Sequence, residues 1–177
     1  MGSKRNPGRL KNNGRKQGEE CEESIGENEP QRPKAGMITN TSDVRVRYAD
    51  TDQMKYVYYG KFFEYFEQGR SDLLRSIGLP YTRIEEMGLL LPVVEAHASY
   101  KKSAHYDDLL KVVTIVRESP VARVRVDYEV YREGEKEMLA EGYTILSFVN
   151  AETGRPTRAP AQFLEAIEKA LARTAKT

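Results

Sequence analysis

The chain has 177 residues, a length that suits one domain with an appendage. Its 39% hydrophobic content is enough for a packed core, and its net charge of +1 gives the whole molecule no electrostatic claim on nucleic acid or an anionic membrane. One cysteine, Cys21, excludes an intramolecular disulfide framework and a thiolate metal cage, and no window approaches the roughly 20 apolar residues of a spanning helix.

The first residues lack the apolar run of a secretory signal, so a soluble cytoplasmic protein is expected. Composition then changes near residue 37. Before it, Leu10 and Ile25 are the only large aliphatics besides Met1, and there is no aromatic residue. Charges are all basic from Lys4 to Lys16 and all acidic from Glu19 to Glu29. Such a stretch buries too little apolar surface to offset the entropy of ordering it. Residues 1–40 therefore read as a disordered tail and 41–177 as the folded domain. Met37 stands directly before the first strand pattern and reads as the true start of the protein.

Val44, Val46 and Tyr48 alternate with Arg45, Arg47 and Ala49, which predicts a half-buried strand. From Tyr59 the period changes. Tyr59, Phe62, Phe63, Phe66, Leu73, Leu74 and Ile77 share one helical face, and Gly78 and Pro80 supply stop signals. Gly69 inside this helix costs about 1 kcal/mol against Ala, which suggests close approach to a sheet. Tyr81 to Met87 reads as a short second helix. Leu90–Lys101 then reads as one strand, with Pro92 pushing its start towards an edge or bulge. Lys111–Arg117, Val121–Arg132 and Glu137–Asn150 read as three more strands, the second alternating Val124, Val126, Tyr128 and Val130 against charged residues. A terminal amphipathic helix starts near Pro160, with Phe163, Leu164, Ile167 and Leu171 inward. The order is α+β: one long helix must bury its stripe on one antiparallel sheet.

The stretch between the first strand and the long helix carries the chemistry. It reads Tyr48-Ala49-Asp50-Thr51-Asp52, a short turn through Lys55, then Tyr56-Val57-Tyr58-Tyr59-Gly60. With Tyr65-Phe66-Glu67, Gly78-Leu79-Pro80, Leu91-Pro92-Val93-Val94 and Tyr106-Asp107-Asp108-Leu109, it resembles the 4-hydroxybenzoyl-CoA thioesterase-like family of hotdog acyl-CoA thioesterases over about residues 43–150. The resemblance implies a hotdog fold, an antiparallel sheet wrapped around a long central helix. It implies an acyl-CoA substrate, no cofactor or metal beyond the CoA of substrate and product, and a site at the subunit boundary of a homodimer or homotetramer.

It also implies that Asp52 is the catalytic carboxylate. Thioester hydrolysis needs a nucleophile on the carbonyl carbon or a base for a water placed there. It also needs donors for the developing oxyanion, and the first amides of a helix have no intrahelical acceptor. The Tyr59 amide occupies the family's position for that role, and Gly60 follows with no side chain in the way. Lys55, Tyr56, Val57 and His105 are expected beside the substrate. The competing local reading makes Asp52 a turn or cap residue. Asp50 reads as structural, a turn former or the partner of an arginine.

Two positions depart from the family. Lys55 stands where glycine is common, so a positive φ there would carry a steric cost. Tyr59 replaces a frequent histidine. Glu64 and Glu67 are reserve carboxylates, with helix ion pairs such as Glu67–Arg70 as their ordinary role. Lys101, Lys102, Arg123 and Arg125 are candidates for CoA phosphates or simply a wet strand face. His97 reads as structural, and no Gly-x-Ser-x-Gly elbow accompanies the two histidines. A non-catalytic acyl-CoA-binding protein on the same fold is the alternative, since fold alone does not fix function. Hydroxyacyl dehydration would call for a histidine in the key turn, and none is present.

Overall fold

A computed structural model describes residues 36–174. The first strand, β1, runs Ile38–Arg45, and a 3-10 turn follows at Tyr48–Asp50. The long helix α1 spans Lys61–Ser76 and the short helix α2 Tyr81–Glu86. Then come β2 (Leu89–Leu90), β3 (Val93–Tyr100), β4 (Leu109–Val116), β5 (Arg123–Arg132), β6 (Met138–Ser147) and β7 (Val149–Asn150). Helix α3, Ala161–Thr174, ends the described chain. The architecture is the α+β hotdog fold.

Five strands form one antiparallel sheet in the order β1-β4-β5-β6-β3, which leaves β1 and β3 as its edges. Alternation decides which face is covered. Val124, Val126, Tyr128 and Val130 of β5 are all buried, as are Leu110, Val112 and Thr114 of β4. Helix α1 closes this face with Phe62, Tyr65, Phe66, Leu73 and Leu74. The Phe66 ring stacks on Tyr128 with centroids 4.4 Å apart and planes 7° from parallel. Gly69 lets the helix lie close to the sheet, because a Cβ there would press on the Thr114 hydroxyl and come within 3.0 Å of Val112 Cγ1. Helix α3 adds Phe163, edge-on to Phe148 at 5.0 Å, and a fully buried Ile167.

Several boundaries differ from the sequence reading. Strand β1 starts at Ile38, three residues inside the stretch 1–40 read as tail, because Ile38 pairs with Val116 across the sheet and is buried. Residues 1–35 of that stretch lie outside the described residues. Tyr48 is not a strand residue: it sits in the 3-10 turn, 80% exposed, with its ring edge-on to Tyr106. Leu90–Lys101 is not one strand. It breaks at Leu91-Pro92, so β2 pairs with β7 while β3 pairs with β6. Glu137–Asn150 divides in the same way around the buried Phe148. Pro92 does stand at an edge, beside the register shift between Val93 and Glu95. Arg70 does not pair with Glu67. It is buried, with Nε donating to the Tyr81 hydroxyl at 2.7 Å and Nη1 to the Tyr128 hydroxyl at 3.2 Å.

Candidate active site

The segment between the 3-10 turn and α1 folds back on itself. The Asp52 amide donates to the Tyr56 carbonyl at 2.9 Å, the Lys55 amide to the Asp52 carbonyl at 2.9 Å, and Thr51 bridges Val57. One side-chain oxygen of Asp52 accepts the Met54 amide at 2.8 Å, the side-chain-to-backbone turn that aspartate favours. The turn is then fastened to the domain. The Val57 amide donates to the Ala104 carbonyl at 2.8 Å and the Tyr58 amide to the Asp50 carbonyl at 2.9 Å.

Lys55 has φ 66°, so the position does take the left-handed conformation that glycine adopts without cost. A lysine there forgoes about 1–2 kcal/mol, and glycine loses part of that gain to its freer unfolded chain. Lys55→Gly is expected to raise stability by about 0.5–1 kcal/mol, read as a higher urea midpoint; an unchanged or lower midpoint contradicts the strain.

The two aspartates have separate surroundings. Asp50 is 1% exposed. Its carboxylate accepts the Arg47 Nη2 at 3.0 Å, the Arg47 amide at 3.0 Å and the buried Tyr65 hydroxyl at 3.2 Å. Burial pushes its carboxyl up, but the Arg47 side-chain and backbone hydrogen bonds, the Tyr65 hydroxyl and the Arg47 charge outweigh it and hold it below the usual range. Asp50 is therefore a structural pin for the segment. A carboxyl depressed on folding stabilises the fold above its unfolded pKa, and that contribution is lost as pH falls through the folded value. Between about pH 5 and pH 3, the urea midpoint of the wild type should fall more steeply than that of Asp50→Asn; parallel curves would contradict this.

Asp52 is half-buried and enters no ion pair, and among the described residues only the Met54 amide bonds its carboxylate. It lines a groove of about 320 Å³ with Tyr56, Val57, Tyr59, Phe62 and Tyr100; the 101–104 loop forms the far wall. The amides of Tyr59 and Gly60, directly before α1, find no acceptor among the described residues, whereas those of Lys61, Phe62 and Phe63 bond the carbonyls of Tyr58, Tyr59 and Gly60. Gly60 has an ordinary φ of −64°, but a Cβ there would come within 2.8 Å of the Tyr58 ring. A side chain there would displace the exposed Tyr58 ring.

The structure thus brings Asp52, Tyr56, Val57 and Tyr59 to one groove, with the Gly60 amide at the start of the same helix. Lys55 and His105 stand outside its lining. His105 lies edge-on to Tyr56 at 5.2 Å, and its amide is bonded to Asp108 at 2.8 Å. Lys101 and Lys102 reach the rim but pair with Glu141 at 2.9 Å and Glu137 at 2.7 Å. Arg125 lies over the Tyr143 ring and binds Asp127, together with Arg117, beside a larger hollow of about 580 Å³ on the outer sheet face. Glu64 pairs with Lys61 at 2.8 Å, and Glu67 is exposed; neither lines the groove. Sequence reasoning missed Tyr100, whose only signal was an aromatic residue at the end of a strand. No helix among the described residues is long and apolar enough to cross a membrane.

Comparison with known proteins places this geometry. A family model described as the Thioesterase-like superfamily matches residues 46–167. The Bacillus subtilis protein YneP, named as a candidate acyl-CoA thioesterase, is 35% identical over 95 residues, 54% of this chain and 69% of its own. The acyl-CoA thioesterase YbgC of Haemophilus influenzae is 34% identical over 90 residues, 50% of this chain and 66% of its own. The solved DHNA-CoA thioesterase of Staphylococcus aureus superposes with a TM-score of 0.68 at 29% identity, covering 76% of this chain and 89% of that one. The match runs from just after β1 into α3 and so contains the whole groove: this chain belongs to the thioesterase-like superfamily of hotdog-fold thioester hydrolases.

Proposed function

We propose that the chain hydrolyses an acyl-CoA thioester to a free carboxylic acid and CoA, with Asp52 as nucleophile or general base and the Tyr59 and Gly60 amides as the oxyanion hole. One observation carries this reading. An aspartate without a counter-ion among the described residues lines the groove at the foot of α1, where two consecutive amides find no acceptor among them. A thioester carbonyl seated between them presents its carbon to the carboxylate, or to a water the carboxylate deprotonates. Its oxygen meets N–H groups at the positive end of a helix dipole, where negative charge is favoured. The thiolate of CoA then leaves. On the direct route a water hydrolyses the acyl–Asp52 anhydride; on the other the proton taken up by the carboxylate passes to the departing thiolate, and both routes end in free acid and CoA. No metal or redox group is needed for these steps.

The relatives' names supply the CoA ester as substrate class. Rings of Tyr56, Tyr59, Phe62 and Tyr100 give the groove flat apolar walls, which suit an aromatic or short acyl group. The site adjoins the exposed edge strand β3, whose free backbone groups offer an edge to a second copy, so the enzyme is proposed to work as a homo-oligomer. Release of thiol by the purified protein, across short, long and aromatic acyl-CoAs, tests the reading. Turnover of at least one of them is expected. Tight binding with no turnover would move the chain to the non-catalytic acyl-CoA-binding class, and a purely monomeric sedimentation profile would remove the oligomer.

A further inference from the structure

The Tyr59–Gly60 peptide carries one of the two unpartnered amides, and its opposite end is held. The Tyr100 hydroxyl donates to the Tyr59 carbonyl at 3.1 Å, and the Phe62 amide donates to the same oxygen at 3.3 Å. The bond joins the last residue of β3 to the residue two before α1, so it links the sheet edge to the foot of the helix. The Tyr100 ring is fixed edge-on against Phe62 at 5.3 Å and Tyr59 at 6.4 Å. Burial first, and then the neighbouring Tyr59, holds the Tyr100 phenol above its ordinary range, so it stays protonated and able to donate at neutral pH.

The chemical consequence follows from the peptide plane. All peptide bonds here are trans, so the Tyr59 carbonyl and the Gly60 N–H point in opposite directions from one rigid unit. Donors on the carbonyl oxygen draw electron density towards it and leave the N–H more positive, the cooperative strengthening of linked hydrogen bonds. They also fix the direction of that N–H. We propose that Tyr100 is a positioning residue for thioester hydrolysis: its hydrogen bond to the Tyr59 carbonyl aims and polarises the Gly60 amide towards the substrate oxyanion. The inference rests on the oxyanion hole proposed above and adds the side chain that sets it.

The test is Tyr100→Phe, which keeps the ring and its packing and removes one hydroxyl. kcat should fall about 3- to 10-fold with KM changed by less than about twofold, because the interaction strengthens only as charge develops on the oxygen. The Gly60 amide nitrogen resonance should move as well, while the remaining spectrum keeps its dispersion. A change in packing alone would not produce that split. Unchanged kcat, or a rise in KM with kcat intact, overturns the role of Tyr100. Asp52→Asn assayed beside it separates the two claims. If that variant loses activity while Tyr100→Phe does not, only the positioning role falls; if both retain activity, the underlying site reading falls.

Discussion

Asp52→Asn is expected to lower kcat for acyl-CoA hydrolysis by about 10²- to 10⁴-fold, with a much smaller change in KM. The substitution keeps the shape of the side chain and the acceptor for the Met54 amide, so the turn from Asp52 to Lys55 should survive. It removes the negative charge that serves as nucleophile or proton acceptor. The neighbouring Asp50 cannot take over. It is buried, gripped by Arg47 and bonded by Tyr65, so its oxygens are already engaged. If Asp52→Asn matched the wild type, Asp52 would be only a turn residue. That result would contradict the proposed mechanism without touching the fold.

Gly142→Ala is expected to cost about 1–3 kcal/mol of stability, the range for forcing atoms into a packed core. Gly142 lies on β6 opposite Tyr128 of β5 and Ala98 of β3. A Cβ there would press on the His97 carbonyl and come within 2.7 Å of Phe66 Cε2 and 3.0 Å of Cζ. The backbone carbonyl cannot swing away without breaking the β3–β6 ladder. Nor can the Phe66 ring withdraw freely, since it is stacked on Tyr128, whose hydroxyl is tied to Thr144 at 2.8 Å and to Arg70. The urea midpoint should fall while the slope of the transition stays constant. A variant as stable as the wild type would mean that the helix stands further from the sheet than described.

How far the sequence could be read depends on the range of the interactions. Strand β5 was legible because each buried residue alternates with a charged one, and α1 because its buried aromatics recur at helical spacing. The close approach at Gly69 was legible from an otherwise costly glycine. Tyr48 misled, because an aromatic in register with Val44 and Val46 looks inward, yet its ring meets Tyr106 on the surface. The break before β3 depends on which distant strands accept β2 and β3, and local alternation does not encode that. Arg70 reads from the sequence as an ion-pair partner of Glu67, because its tyrosine partners lie 11 and 58 residues away.

The site shows the same division. A structural role for Asp50 follows from local pattern, and Arg47 is close enough in sequence to suggest the pin; the catalytic role of Asp52 comes from the family resemblance. The glycine common at position 55 in the family leaves a positive φ as a condition on Lys55, and the φ of 66° meets it. Tyr100 could not be placed, because its hydrogen bond to Tyr59 spans 41 residues and follows from sheet closure. Lys55 and His105 are neighbours of the turn in sequence or pairing, and neither lines the groove.

The proposed mechanism puts the chemistry on the carboxylate of Asp52. It is tested most directly by measuring CoA release by wild type, Asp52→Asn and Glu67→Gln, alongside affinity for a non-hydrolysable thioether analogue of the best substrate. Asp52→Asn is expected to bind the analogue nearly as well as wild type but to lose about 10²-fold or more in kcat, while Glu67→Gln, an exposed helix position, behaves as wild type. Full turnover by Asp52→Asn, or loss of turnover confined to Glu67→Gln, would contradict it.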